Sequence, residues 1–237
     1  LNLNLKYMAD YNRSNEAEDT FNNKKKPKTD IKFKISLNEE QKRAKELILN
    51  NEIIIITGFA GTGKTLITAI TMLDLLFKRE LEKVFITRPT QQVGGSLGFL
   101  PGSLEEKLNP YLDPFKDNLF TCYEQSKVES LIKDGKIEGT AIQFIRGKTF
   151  GAGRVLIVDE SQNTTKHEML AILCRLGIGG KIIIIGDNNQ KDINTSIDGL
   201  SYAIELSKKI DGIKWIKLKE NHRSGLVGEI LDYEYKY

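Results

Sequence analysis

From residue 36 onward the chain is built on short, unbroken apolar runs separated by stretches with helical spacing. Ile53-Ile54-Ile55-Ile56 is the first run. Four β-branched residues without polar alternation predict a central strand buried on both faces. Val84–Thr87, Ala141–Ile145, Val155–Val158, Ile182–Ile185 and Trp215–Leu218 are predicted as further strands. Asn38-Glu39-Glu40-Gln41 has the pattern of a capping box, which opens a helix to about Leu49 with Ala44, Leu47 and Ile48 facing inward. Lys64–Lys78 is apolar on most sides, as a helix lying on a sheet must be. More helices are expected near 104–133, 165–176, 198–209 and 224–235. Strands alternating with helices predict an α/β fold, a doubly wound parallel sheet covered on both faces. No internal repeat is present.

Charge then divides the chain in two. Residues 1–36 hold eight Lys/Arg against five Asp/Glu, so the net charge of +3 resides there. The remaining 201 residues hold twenty-seven of each, and a body of that balance is not built to coat nucleic acid. Residues 1–35, with Lys24-Lys25-Lys26-Pro27-Lys28 and few apolar residues, are expected to be a disordered basic and polar tail, either solvated or a nucleic-acid arm. The domain is expected over 36–237. Met8 is the first methionine, so residues 1–7 either lie upstream of the start or follow a truncation. At 237 residues, one ordinary domain needs no staples. No apolar run approaches the ~20 residues of a membrane span, so no membrane partner is expected. Cys122 and Cys174 are far apart and expected to be buried hydrophobes, and with His167 and His222 they show no zinc spacing. The compartment expected is a reducing cytoplasm, bacterial or that of a phage-infected host.

The candidate chemistry sits where apolar runs end. Gly58-Phe59-Ala60-Gly61-Thr62-Gly63-Lys64-Thr65 follows a buried strand and opens a helix, the context a phosphate-binding loop requires. Its glycines let backbone N–H groups turn inward around an anion, and the helix N-terminus adds unsatisfied donors and a positive dipole end. Lys64 is expected on the β- and γ-phosphates and the Thr65 hydroxyl on Mg²⁺. Val155–Val158 ends in Asp159 and Glu160, two acids at the place where ligands of open sheets bind. Asp159 would hold the metal through water; Glu160 would orient the attacking water or accept its proton. The strand Ile182–Ile185 leads to Gly186-Asp187-Asn188-Asn189-Gln190, where Gln190 is placed to sense the γ-phosphate. Asn189-Gln190-Lys191-Asp192 has the wrong order for a guanine-reading motif.

Together with the loop, Ile86-Thr87-Arg88-Pro89, the stretch Gly94–Lys107, Asn109-Pro110-Tyr111-Leu112, Arg146-Gly147-Lys148-Thr149-Phe150, Asp159-Glu160-Ser161-Gln162-Asn163, Gly186-Asp187 with Gln190, and Arg223 with Leu226-Val227 resemble the PhoH-like ATPases. These are RecA-like P-loop NTPases related to superfamily 1 helicases. The likeness covers about residues 36–235. Ser161 stands where that family usually has Ala, and Ser224-Gly225 follows Arg223 where His-Pro is common. The resemblance implies ATP as substrate, hydrolysis to ADP and phosphate, and RNA or single-stranded DNA as partner. It also implies that Gln41 reads the adenine edge, although Gln41 is equally a helix-cap residue.

By the same likeness, loops after the strands contact a sugar-phosphate backbone. The candidates are Arg88 and Thr90 with Gln91, and Arg146, Lys148 and Thr149, each set offering a cation and a hydroxyl for phosphate. Phe99 and Phe150 are either stacking platforms or core residues. Three functional readings follow: a helicase-like ATPase, an ATP-dependent switch acting on a protein partner, and, behind both, a small-molecule kinase. A lone domain of this kind leaves the γ-phosphate open on one side. Arg223 is therefore expected to supply transition-state charge, in its own chain or across to a neighbour in a homo-oligomeric ring.

Overall fold

A computed structural model of the chain describes residues 33–89, 104–193, 195, 197–222 and 233, with the backbone alone for 104–111. The elements in chain order are α1 (Glu39–Asn50), β1 (Ile53–Gly58), α2 (Lys64–Phe77), β2 (Lys83–Thr87), α3 (Leu104–Cys122), α4 (Gln125–Lys133), β3 (Ile137–Gly139), α5 (Ile142–Ile145), β4 (Arg154–Val158), α6 (Lys166–Leu173), β5 (Lys181–Gly186), α7 (Gly199–Ser207) and β6 (Ile213–Leu218). A single 3₁₀ turn, Ser161–Asn163, separates β4 from α6.

The six strands form one all-parallel sheet in the order β3-β2-β4-β5-β1-β6. The isoleucine runs explain the centre. β1 and β5 lie side by side, with Ile54 opposite Ile183 and Ile55 opposite Ile184. Because side chains alternate across a strand, each run feeds two cores. Ile54, Ile56, Ile86, Ile157 and Ile183 pack on one face with α1, α2, α3 and α4. Ile55, Phe85, Leu156, Ile182 and Ile184 pack on the other with α5, α6 and α7. The α/β architecture expected from the alternation is thus a three-layer sandwich. Phe33, Ile35 and Leu37, just ahead of α1, pack partly buried against the first core.

α2 carries a buried acid, Asp74, near its C-terminal end. Lys45 of α1 and Lys78 each reach its carboxylate at 2.9 Å, so the charge is compensated where α1 meets α2.

Three expectations are corrected. Ala141–Ile145 is not a strand. The edge strand is the three-residue β3, and 142–145 is one helical turn with Ile142 and Ile145 buried and Gln143 and Phe144 exposed. Inward residues three apart are a helical spacing, which the apolar content of the segment had masked. The helix expected over 104–133 is two, broken at Tyr123-Glu124. Cys122 is buried, its thiol pushed up to about 12 by burial, but Cys174 is exposed at the C-cap of α6. Residues 1–32 of the tail, most of the helix expected at 224–235, and Thr90, Gln91, Phe99 and Arg223 lie outside the described residues.

Candidate functional site

The ends of three adjacent strands build the site. β1 runs into the loop 58–63, and α2 starts at Lys64 with Gly63 as its N-cap. Gly63 has φ +83, and a Cβ there would lie 2.4 Å from Gln41 Nε2, so the position takes only glycine while Gln41 stays in place. At Gly58 a Cβ would meet the Leu218 carbonyl at 2.5 Å, because β6 passes directly beside the loop. Thr62 closes the loop internally, its Oγ1 donating to the Phe59 carbonyl at 2.9 Å. Lys64 Nζ folds back to donate to the Gly58 and Phe59 carbonyls at 2.6 and 2.9 Å. Its ammonium therefore stands at the mouth of the anion cradle.

Gln41 is buried against this loop. Its Oε1 accepts from the Asn38 N–H (3.2 Å) while Asn38 Oδ1 accepts from the Gln41 N–H (2.7 Å), the reciprocal cap at the start of α1. Its Nε2 donates to the Thr62 carbonyl at 3.4 Å. The cap and the loop contact each use part of the amide, which can offer two N–H donors and two acceptor lone pairs. The first turn of α1 is also sewn to the chain leaving β6. Glu40 accepts the N–H groups of Lys219 and Glu220, which hold its carboxyl below the usual range, and Asn38 Nδ2 donates to Glu220. The His222 N–H then donates to the Gly61 carbonyl at 3.0 Å.

At the end of β4, the Asp159 N–H donates to the Thr87 carbonyl of β2. Asp159 is buried, and its carboxyl is pushed up to about 6 by that burial and by the adjacent Glu160 charge, with Arg88 and Lys64 acting against the rise. Glu160 has φ +50, a left-handed backbone that costs a side-chain-bearing residue about 1–3 kcal/mol and is held only where the surroundings dictate it. Arg88 Nη2 contacts Glu160 Oε1 at 3.1 Å, and Gln162 Nε2 donates to Oε2 at 2.6 Å.

Gln162, in the 3₁₀ turn, joins the two acid-bearing strands. Its Nε2 also donates to the Gln190 carbonyl at 3.1 Å, and its Oε1 accepts the Asp187 N–H at 3.1 Å. Ser161 Oγ donates to the Ile185 carbonyl at 2.7 Å, a buried bond between β4 and β5 that Ala could not make. Asp187 is buried; Oδ1 accepts from Asn189, while Oδ2 has no partner among the described residues.

These parts share one cleft of about 620 Å³, lined among others by Gln41, Lys64, Thr65, Asp159, Glu160 and Gln190. The sequence reading missed Gln162, Asp187 and His222 as parts of the site. Asp187 carried the signal that marked Asp159, an acid at the end of an apolar strand. Gln162 stood within the stretch that carries the resemblance, with nothing to single it out, and His222 carried no signal, because their roles depend on strands meeting in space.

Arg146, Lys148 and Thr149 are not at a strand end, since the segment before them is helical. Lys148 pairs with Glu138 (3.4 Å) and sits 4.7 Å over the Phe85 ring. Lys148 and Thr149 line a separate hollow of about 450 Å³ with Lys83 and Arg154, the first residues of β2 and β4, away from the loop. Phe150 is buried and edge-on to Phe85, a core residue and not a platform.

A phosphate-binding loop between a central parallel strand and its helix, with acids on the neighbouring strand ends, defines a P-loop NTPase. A family model described as "PhoH-like protein" matches residues 34–234, and the chain belongs to that family. The PhoH-like protein of Bacillus subtilis is 40% identical over 185 residues, covering 77% of this chain and 58% of the relative. That of Synechocystis is 36% identical over 181 residues, covering 76% and 55%. The chain thus spans a little over half the length of these relatives. Among solved structures, the large terminase of a thermophilic bacteriophage aligns with a TM-score of 0.50 at 14% identity, over 84% of this chain and 50% of that one, a likeness of fold. The Pif1 helicase of Candida albicans aligns with a TM-score of 0.48 at 20% identity, over 84% and 43%.

Proposed function

We propose that the chain binds ATP with Mg²⁺ in this cleft and hydrolyses it to ADP and phosphate, with RNA or single-stranded DNA as the partner that stimulates turnover. One observation carries the reading: the loop, Asp159, Glu160 and Gln190 line a single cleft at the ends of β1, β4 and β5. The donor set fits the metal. Thr65 offers a hydroxyl, and Asp159 a buried carboxylate whose charge its surroundings leave under-compensated. Bound there, Mg²⁺ supplies positive charge to the phosphate oxygens.

The chain's own residues do the rest. Backbone N–H groups of 61–65 and the Lys64 ammonium hold the β- and γ-phosphates. Gln41 offers a donor and an acceptor to the adenine edge. Glu160 takes the proton as the water oxygen bonds to the γ-phosphorus and the bond to the bridging oxygen breaks, leaving ADP and phosphate. Gln190, on the turn after β5, stands at the same cleft to sense the γ-phosphate. The neutral charge balance of residues 37–237 supports a partner held weakly, through few phosphate contacts and with a correspondingly shallow salt dependence.

The test is steady-state ATP hydrolysis and equilibrium nucleotide binding, each with and without poly(U) and oligo(dT). Lys64→Ala is expected to weaken binding and abolish turnover. Glu160→Gln is expected to bind ATP as the wild type does and to lose turnover by a factor of ~10² or more. Wild-type turnover in Glu160→Gln would remove Glu160 from the chemistry. Turnover indifferent to both polymers would favour the switch acting on a protein partner.

A further inference from the structure

Glu160 is the residue on which the proposed hydrolysis depends, and both of its oxygens are engaged. Gln162 Nε2 holds Oε2, and the Arg88 guanidinium holds Oε1. The Gln162 bond is internal, anchored to the turn after β5 through Asp187 and Gln190. The Arg88 contact is different. Thr87 of β2 and Val158 of β4 are paired in register, so the chain leaves the two strands side by side, with Arg88 one residue beyond β2 and Glu160 two beyond β4. The Arg88 side chain is about one-third exposed, at 36%, and that of Glu160 is 30% exposed. A guanidinium has five N–H donors in a rigid fork that suits carboxylate and phosphate alike. Arg88 is thus a phosphate-type donor at the surface that grips the proton acceptor of the cleft.

We propose that Arg88 is a catch on Glu160 released by nucleic acid: a phosphodiester of a single strand takes the guanidinium, and Oε1 becomes free to accept the proton of the attacking water. The inference rests on the hydrolysis reading above and names its regulation. A lone phosphate offers Arg88 no more than the carboxylate does. A strand binds through several phosphates at once, and that additional binding free energy shifts the equilibrium toward the released state. Coupling of this kind is reciprocal: whatever loosens the catch must also tighten the hold on the strand, by a factor of about 5–150 in ordinary cases.

Two variants test it, each checked for wild-type circular dichroism and melting. Arg88→Ala is expected to raise the polymer-free hydrolysis rate about fivefold or more and to lose stimulation by both poly(U) and oligo(dT). Arg88→Lys, which keeps a charge but not the fork, is expected to fall between it and the wild type. Glu160→Gln, which cannot hydrolyse, is read by fluorescence anisotropy of a labelled oligo(U) and a labelled oligo(dT) without nucleotide. It is expected to bind one or both about fivefold or more tighter than the wild type, the better ligand identifying the physiological polymer. A polymer-free rate in Arg88→Ala equal to or below the wild type overturns the catch and makes Arg88 a residue that assists Glu160. Unchanged strand affinity in Glu160→Gln overturns the coupling. If the wild type turns over no ATP, the hydrolysis reading falls, while the affinity comparison still decides whether Arg88 is shared between strand and glutamate.

Discussion

Asp159 shows what a single buried acid costs the fold. An acid whose pKa lies above its unfolded value favours the folded state most when protonated. Stability therefore falls as pH rises from 3.8 through about 6, and is level beyond. A rise to about 6 amounts to about 3 kcal/mol of destabilisation carried by the metal-free protein at neutral pH. Asp159→Asn is expected to raise the melting temperature of the metal-free protein at pH 8, with the gain shrinking toward zero near pH 4. Melting curves over that range check it, and equal melting temperatures throughout would mean that the carboxylate is already neutralised in the free protein. Glu160 was legible as an acid at a strand end, but its left-handed backbone was not. Nor were the partners of its carboxylate, Arg88 and Gln162, which meet it only after the sheet has formed.

Among the elements, α1 joins its own N-terminal cap to the loop at 58–63 through one side chain. Asn38 and Gln41 cap the helix, and the same Gln41 amide faces the phosphate loop. The tasks separate by mutation. If Gln41 reads the adenine edge as proposed, the protein will prefer ATP over GTP; Asn38→Ala is then expected to cost about 1 kcal/mol of stability and to leave that preference intact. Gln41→Ala is expected to cost a similar amount and to erode the preference as well. Competition binding with both nucleotides, beside thermal melts, gives the comparison, and an unchanged preference in Gln41→Ala would leave the residue a cap only. The strands were legible because runs of β-branched residues have few other uses, and β1, β2, β4, β5 and β6 lie where those runs predict them. The failure at 141–145 has a definite cause. In a segment that is one turn long, apolar content outweighs period, and the real edge strand, Ile137-Glu138-Gly139, is too short to show one.

For the whole molecule, the question is who supplies charge on the open side of the cleft. If Arg223 reaches a neighbouring chain, an Arg223→Ala chain and a Glu160→Gln chain, each inactive alone, will regain part of the wild-type rate when mixed. Restoration would follow the square of total concentration below assembly. A monomer by sedimentation with constant specific activity on dilution would overturn the action of Arg223 across chains. The strand order has a further consequence, one of timing. β5 lies between β1 and β4, so no strand of the sheet joins the loop at 58–65 to the acids at 159–160 until residues 181–186 have inserted. A chain still emerging from the ribosome holds two half-sites that cannot see each other. On the proposed reading, a nucleotide that needs both the loop and the acids gains its full hold only once that late strand is in place, which ties tight binding to the completion of the sheet's centre.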